Sequence, residues 1–412
     1  MSNTDQSKSK RHCMIVHAYY PIGETRVERE ALALVDAGYE VDVICHRHKR
    51  DPKFETINGV NIFHLPVSRK RLGGFIGQFL EYLLFFIMVF FKLLTLYPRR
   101  KYQTVQAHNL PDFLIFSAVI PKLFGARLIL DLHDLMPEFF ATKSNRAMDS
   151  FLVRLVIFQE QMACRFADHV ITVTKLWRQR LIERGVKEDK VSVVMNLPDE
   201  RYFSAVKERK VKPRDHNGLR LIYHGTFKEH YGLKELIMAI GLVRDQIPGI
   251  HLTLQGVGEF SNEMKKLVND LDLQNEVVVN DFALLVSKLP ALIHQSDIGV
   301  VPNQNDVFTG DLLPTKMMEY IALGMPVIAA KTRVISQYFS DEMILFFSPG
   351  DENSLAERIL YAFQHWDEVL AKTKIYDQFT SMYNWGKVSK LYVELIDSLG
   401  IGKTSKNIKL VL

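Results

Sequence analysis

Residues 13–47, CMIVHAYYPIGETRVEREALALVDAGYEVDVICHR, decide how the rest of the chain is read. An apolar run, CMIVHAYY, leads into the amphipathic stretch ETRVEREALALVDAGY and then into a second β-like run, EVDVICHR. Short runs rich in Val and Ile, alternating with amphipathic stretches of about 12–15 residues, are the signature of βαβ units and a mainly parallel sheet.

The alternation continues beyond this unit. The turn Asn58-Gly59 opens VNIFHLPV, and YQTVQAHN, the apolar PDFLIFSAVIPKLFG, ARLILDLHD, a helical stretch from about Asp149 to Ala167, HVITVT and VSVVMN follow. The pattern stops in DERYFSAVKERKVKPRDHNG, which is polar, carries Pro213 and Gly218 and has no apolar periodicity. It restarts with RLIYHG, a helix near Leu233–Asp245, HLTLQG, a helix near Asn262–Asp270, EVVVND, DIGVVP, PVIAA, LFFSPG and SLAERILYAFQHW. The expected organisation is an α/β domain over 1–200, a linker over 201–218 and a second α/β domain over 219–385. A final helix near 386–402 is expected to pack back on the first domain.

Composition agrees with two domains, since 412 residues at 47% hydrophobic content are enough to bury two cores. Fifty-two Lys and Arg against 47 Asp and Glu give a formal charge of +5, spread along the chain, and argue against a nucleic-acid partner. Cys13, Cys45 and Cys164 are far apart and show no metal-ligand spacing, which suits buried thiols in a reducing compartment. The first twelve residues, MSNTDQSKSKRH, are polar and lead into a strand, so no secretion signal is expected.

Ligands of open parallel sheets bind beyond the carboxyl ends of the strands. In the first half those positions hold the turn Tyr20-Pro21-Ile22-Gly23, the pair His108-Asn109, and His133-Asp134. Gly23 lets a backbone approach a phosphate or sugar closely, or simply serves a βα turn. His133 can hydrogen-bond a ligand or take a proton near neutral pH, with a structural hydrogen-bonding role as its competitor.

The sharpest constellation is DLLPTKMMEYIALGMPVIAA, 311–330. Pro314 suits the first helical position, so the turn Asp311–Leu313 is expected to run straight into a helix ending near Gly324. The free amides and positive dipole end of such a helix form a site for a diphosphate. Lys316 lies in the first turn and neutralises phosphate charge, while Glu319, one turn on, accepts hydrogen bonds from ribose hydroxyls. The bland alternative is an amphipathic helix with Met317, Met318, Ile321 and Ala322 as its core face; it leaves the Gly310-Asp311 turn and the Gly-x-Pro exit unaccounted for.

This segment resembles the donor-binding segment of retaining glycosyltransferases of family 4, which have the GT-B fold. Asp311 and Glu319 stand at the positions of the family's acidic pair. The resemblance extends over YYPIGETRVEREALALVDAGYEVDVI, DLHD at 131–134, MNLPDERYF, YHGTFKEHYGLKELIMAI at 223–240, QGVGEF and SDIGVVP. It implies two Rossmann-like domains with mainly parallel sheets facing across a cleft. It also implies a bacterial-type enzyme of surface polysaccharide assembly that uses a nucleotide sugar, UDP- or GDP-linked, with no cofactor and no metal. Catalytic roles then fall to His133, matching a family histidine that faces the transferred sugar, and to Asp311. Donor binding falls to Gly23, Lys228, Leu312, Leu313, Lys316 and Glu319, with His108, Asn109, Thr226, Asn280 and Phe282 lining the site.

Three departures stand out. The first acid is Asp311 where Glu is commoner, Thr226 and Tyr231 replace a usual Arg and Lys, and Glu24 replaces a second glycine beside Gly23. Charge neutralisation then rests on Lys228, Lys316 and the helix dipole.

The most hydrophobic stretch is FIGQFLEYLLFFIMVFFKLLTLY, 75–97. Glu81 and Lys92 bracket only ten residues, short of the roughly 20 needed to cross a bilayer, so a spanning helix is not expected. Arg69, Lys70 and Arg71 before it and Arg99, Arg100 and Lys101 after it suit contact of 75–101 with a membrane surface. The implied acceptor is lipid-linked, and the implied location is cytoplasmic, peripheral on the inner face of the plasma membrane. Two other classes of answer share the architecture: a nucleotide-sugar 2-epimerase, and a non-catalytic partner that has lost donor binding.

Overall fold

The computed structural model describes residues 10–21, 24–67, 74–203 and 217–400. Gly23, the basic cluster Arg69–Arg71 and most of the stretch read as a linker at 201–218 lie outside the described residues. Two compact units emerge, one from residues up to Asn196 together with those from Gly386 onward, the other from Leu197 to Trp385.

The first unit is built on eight strands: β1 (Lys10–Tyr19), β2 (Tyr39–His46), β3 (Phe54–Ile57), β4 (Val60–Leu65), β5 (Thr104–His108), β6 (Arg127–Leu132), β7 (His169–Thr172) and β8 (Val191–Val193). They lie in the order β3-β4-β2-β1-β5-β6-β7-β8, and every pair is parallel except the hairpin β3–β4 at the edge. That hairpin turns through Asn58 and Gly59 with φ of 51° and 81°, the doubly left-handed geometry that an Asn-Gly pair accommodates without strain. Strand β1 is central and covered on both faces, so Cys13, Met14 and Ile15 are wholly buried in one continuous apolar run. The helices of this part are α1 (Thr25–Asp36), α2 (Gly74–Arg100), α3 (Val119–Leu123), α4 (Met136–Ser144), α5 (Phe151–Phe166) and α6 (Lys175–Glu183).

The second unit has six parallel strands, β9 (Arg220–Thr226), β10 (His251–Val257), β11 (Val277–Asp281), β12 (Ile298–Val301), β13 (Val327–Ala330) and β14 (Leu345–Phe347). Their order, β11-β10-β9-β12-β13-β14, is the Rossmann arrangement, which reverses direction between β9 and β12. Its helices are α7 (Glu200–Phe203), α8 (Leu233–Val243), α9 (Ser261–Asp270), α10 (Leu289–Ile293), α11 (Thr315–Ala322), α12 (Ile335–Tyr338), α13 (Glu352–Gln364), α14 (Trp366–Lys372) and α15 (Tyr376–Met382). Leu236, Ile240 and Ile359 from α8 and α13 close the core over Leu221, Leu252 and Val300 of the sheet.

The last helix, α16 (Trp385–Gly400), belongs to the first unit from Gly386 onward. It buries Tyr392, Leu395 and Ile396, and the Tyr392 hydroxyl donates to Gln106 Oε1 at 2.7 Å.

The long helix α2 holds the most hydrophobic stretch of the chain. It is continuous, and over Gly77–Arg100 it is long and apolar enough to cross a membrane by length and composition. Both charges that bracket its ten-residue uncharged run meet protein groups: Glu81 is buried, with its carboxylate 3.6 Å from His17 Nε2, and the Lys92 ammonium lies 4.4 Å from the centre of the Phe63 ring. The helix also serves the sheet, packing Tyr82, Phe85, Val89 and Leu93 inward at helical spacing. Phe79, Leu80, Leu84, Ile87 and Phe91 remain exposed on its outer side. All three cysteines are buried and free of disulfides.

Candidate active site

In the first unit the sheet reverses between β1 and β5, and the polar residues gather there on Asp131 of β6. Asp131 is fully buried and accepts from Arg26 Nη2 at 3.0 Å and from Arg26 Nε at 3.2 Å. His108 Nδ1 and His133 Nε2 approach its Oδ2, which Arg26 Nε also meets, at 3.1 and 3.3 Å, and the two imidazole nitrogens are 3.0 Å apart. Gln106 donates to both Asp131 and Glu30, and Glu30 lies 3.0 Å from Arg26 one helical turn along α1. Asn109 completes the arrangement by accepting the His133 backbone N–H at 2.8 Å and donating to Asp112 and to the Asp134 carbonyl.

Environment separates the charge states of these groups. Burial pushes His108 down to about 4, although Asp131 pulls the other way. Burial also opposes charge on His133, but the neighbouring Asp131 carboxylate outweighs it and raises the imidazole above its ordinary value. Asp131 resists burial through Arg26 and His133 and stays well below the usual carboxylate range, while burial pushes Glu30 up to about 8. The site therefore holds one firm carboxylate, a neutral His108 and a His133 inclined to carry a proton, with the His133 side chain 19% exposed and both partners sealed. His108, Asp131 and His133 have donor atoms within 4.8 Å of one another, as do His17, His46 and Glu81, so either trio has a spacing able to hold a cation.

In the second unit the reversal point lies between β9 and β12, and α11 delivers its side chains there. Pro314 is the residue capping α11, with extended backbone, and the helix begins at Thr315, one position later than the sequence suggests. A proline has no N–H to leave unsatisfied in either place. Lys316 sits across the end of β9 over the rings of Tyr223 and Tyr231, with its ammonium 4.6 and 5.0 Å from their centres. Gly225 makes room for it, because a Cβ there would lie 3.1 Å from Lys316 Cε and its φ of 128° belongs to glycine. Burial lowers the Lys316 pKa to about 8, with Glu319 opposing the shift. Glu319 Oε2 is 2.6 Å from His224 Nε2, and His224 Nδ1 meets the Tyr320 hydroxyl at 2.9 Å, so one edge of the Glu319 carboxylate is fixed.

Other expected residues fall differently. Asp311 is fully buried and accepts from Arg333 Nε at 2.6 Å, and Arg333 also donates to the Asp306 carbonyl. Leu312 and Leu313 are half-buried in the entry turn, Thr226 is exposed at the end of β9 and Lys228 is half-buried two residues on. Asn280 and Phe282 lie at the end of β11, the edge strand two places from β9, and the Phe282 carbonyl accepts from Gln255 Nε2 at 2.7 Å.

Several residues of these clusters escaped the sequence reading. Arg26 and Glu30 hide in an amphipathic pattern, though charged residues beside Val27 and Ala31 on the buried face were a readable signal. His224 reads as one more member of a strand. Asn303, just past β12, is wholly buried and its side-chain amide has no hydrogen-bond partner among the described residues, which leaves unspent hydrogen-bonding capacity at the reversal point.

Comparison with known proteins adds an independent line. Residues 23–196 match the family model described as glycosyl transferase 4-like domain, and residues 205–376 match that of glycosyl transferases group 1. The chain is 23% identical over 235 residues to the amylovoran biosynthesis glycosyltransferase AmsK of Erwinia amylovora, a match covering 55% of this chain and 56% of that one. It thus spans little more than half the length of that relative. It is 22% identical over 363 residues to the chitobiosyldiphosphodolichol beta-mannosyltransferase of Debaryomyces hansenii, covering 80% of this chain and 76% of the relative. Among solved structures it is similar to sucrose-phosphate synthase from Thermosynechococcus elongatus, with a TM-score of 0.77, 18% identity and coverage of 96% and 100%. It is also similar to Anabaena HepE in complex with UDP and glucose, with a TM-score of 0.69, 16% identity and coverage of 94% and 100%.

Proposed function

Since the chain belongs to the family-4-type glycosyltransferases of GT-B fold, we propose that it moves a sugar from a nucleotide-sugar donor to a lipid-linked acceptor with retention of anomeric configuration. The observation that carries the donor half is the pairing of Lys316 and Glu319 at the reversal point between β9 and β12. Nucleotides bind parallel sheets there, and α11 presents backbone amides, an ammonium and a carboxylate side by side. Glu319, held by His224, takes the ribose hydroxyls; the α11 amides and Lys316 take the diphosphate and stabilise it as it leaves, without a metal ion or cofactor. The donor base is uracil or guanine, as in UDP- and GDP-sugars. His133, oriented by Asp131, supplies a hydrogen bond to the reacting sugar or acceptor.

The acceptor half draws support from the exposed apolar face of α2 and its terminal Arg99 and Arg100. A relative is named for a mannosyl transfer to a dolichol-linked diphosphate. The enzyme works on the cytoplasmic face of a membrane in polysaccharide or glycoconjugate assembly. A second reading, a fold that no longer turns over donor, is favoured only by Thr226, Tyr231 and the Asp311–Arg333 pair.

Thermal unfolding of the purified protein with UDP, GDP or ADP, alongside Glu319→Ala, tests the proposal. One nucleotide raises the melting temperature of the wild type by several degrees and leaves the variant unchanged; no response to any nucleotide overturns donor binding and moves the weight to the second reading.

A further inference from the structure

Helix α5 exposes an apolar face that the sugar chemistry does not use. Phe151 and Phe158 are 74% and 58% exposed, and Leu152, Leu155 and Met162 lie open beside them. The exposed charges of α5 are Arg154 and Arg165, because its acid, Glu160, is buried against Arg184. The same holds on α2, whose Glu81 is buried. Apolar side chains flanked by cations, without exposed acids, suit an anionic lipid environment.

Between these helices and α4 lies a cavity of about 330 Å³. Phe79, Phe113, Phe139, Phe140, Leu155 and Val156 form its walls, and Phe79 and Leu155 also belong to the exposed faces, so the cavity is continuous with the apolar surface. Its polar residues are Gln78, Tyr82, Gln159 and Lys143, with Lys143 Nζ donating to Gln78 Oε1 at 3.1 Å and Gln78 Nε2 donating to the Tyr82 hydroxyl at 2.7 Å. Arg146 is exposed in the following turn, against one acid there, Asp149.

We infer that this cavity seats the first part of the hydrocarbon chain of a prenyl diphosphate, the lipid carrier of the acceptor, with Lys143 and Arg146 turned to its phosphates. The inference rests on the lipid-linked acceptor proposed above. An aromatic-walled cavity that opens onto apolar surface gains by burying hydrocarbon, and its volume lies at the lower end of the ~300–1,000 Å³ usual for ligand pockets. The basic rim fits the head of that molecule and gives a carrier anchored by its chain one orientation.

The test is calorimetric titration of the whole purified chain with farnesyl diphosphate, and separately with inorganic diphosphate and lysophosphatidylglycerol. Farnesyl diphosphate is expected to bind at least tenfold tighter than either. Val156→Trp, which fills the cavity, is expected to lose that tenfold advantage while inorganic diphosphate binds as before. Leu155→Lys, on the exposed side, gives the same readout if the tryptophan variant does not fold. Equal affinity for farnesyl and inorganic diphosphate, or equal farnesyl binding in wild type and variants, overturns the inference. Lysophosphatidylglycerol binding as tightly assigns the cavity to bulk lipid, and a dimer in ultracentrifugation that Leu155→Lys dissolves assigns the face to a second copy; both overturn it too. Nucleotide-induced stabilisation measured on the same samples separates the two readings, since its loss in every protein removes the donor proposal while prenyl binding stands.

Discussion

At the reversal point of the first sheet Asp131 sits beneath Arg26, two imidazoles and Gln106, all sealed from solvent but His133, whereas at that of the second Lys316 and Glu319 are half-buried, one against aromatic rings and the other against a single imidazole. The first arrangement is closed on itself: each charge is answered within the protein, and only the rim of His133 is offered outward. The second is answered in part, and under the proposed function a ligand completes its ammonium and carboxylate edge. Closed networks fix geometry at the risk of stability when one member is lost, and open pairs trade that rigidity for sensitivity to ligand and pH.

The comparison breaks first at Asp131→Asn. Arg26 is buried, and a neutral amide leaves it without its main counter-charge, a loss on the order of 3–5 kcal/mol in buried pairs. Glu30 softens it. Its pKa of about 8 reflects burial and the negative charge of Asp131 beside it, so removing that charge lets Glu30 ionise and take over Arg26 at 3.0 Å. Asp131→Asn is therefore expected to cost near the low end of that range, a melting temperature lower by about 10 °C. The double variant with Glu30→Gln loses more than the sum of the two single losses. Urea unfolding of the four proteins measures the cycle, and strict additivity would show that the network is not interlocked.

The same contrast sets what could be read from the sequence. The βα alternation, the Asn58-Gly59 hairpin and the entry into α11 were legible because each depends on local patterning or on backbone preferences of named residues. The closed network was not, since Arg26, Glu30, Asp131 and Tyr392 meet through β-sheet register and the return of α16, whereas His108, Asn109 and His133 announced themselves by strand-end position. The open pair was half legible: Lys316 and Glu319 share one helix, but the His224 that orients Glu319 and the Arg333 that claims Asp311 come from other strands and loops. On α2, a count of charges could not show that Glu81 and Lys92 turn toward protein partners.

A smaller effect sharpens the contrast through pH. The Lys316 pKa near 8 lies below the unfolded value of about 10.4, so between those limits the folded protein has shed a proton that the unfolded chain retains, and this residue's contribution to stability rises with pH. Under the proposed function ligand binding runs the other way, because a diphosphate held by Lys316 needs the ammonium. Nucleoside diphosphate affinity is expected to be level below pH 7 and about tenfold weaker at pH 9, with a proton taken up on binding there. Calorimetry in two buffers of different ionisation enthalpy measures both. Lys316→Arg, charged throughout, is expected to flatten the profile; a profile that survives the substitution places the titrating group elsewhere.

The smallest effect concerns Tyr231, which stands where the family usually carries a lysine. Its ring and that of Tyr223 lie about equally far from the Lys316 ammonium, so the two share the work of holding a partly buried cation. A cation–π contact at such a site is worth roughly 0.5–1 kcal/mol, and Tyr231→Leu is expected to weaken nucleotide binding at pH 7 by about two- to fivefold. It also moves the pH profile downward, because the ammonium loses a stabilising face. Tyr231→Phe keeps the ring and leaves both quantities unchanged. Tyr231→Lys is the informative exchange: it puts a second cation beside Lys316, which lowers the charge each can carry in the free protein but adds one for the diphosphate to answer. If nucleotide binding tightens in Tyr231→Lys below pH 7 and falls away more steeply above it, the aromatic pair is a substitute for charge, holding Lys316 without a second lysine at position 231. If Tyr231→Leu and Tyr231→Phe behave alike, the ring contributes only shape, and the openness of the second site owes nothing to its aromatic neighbours.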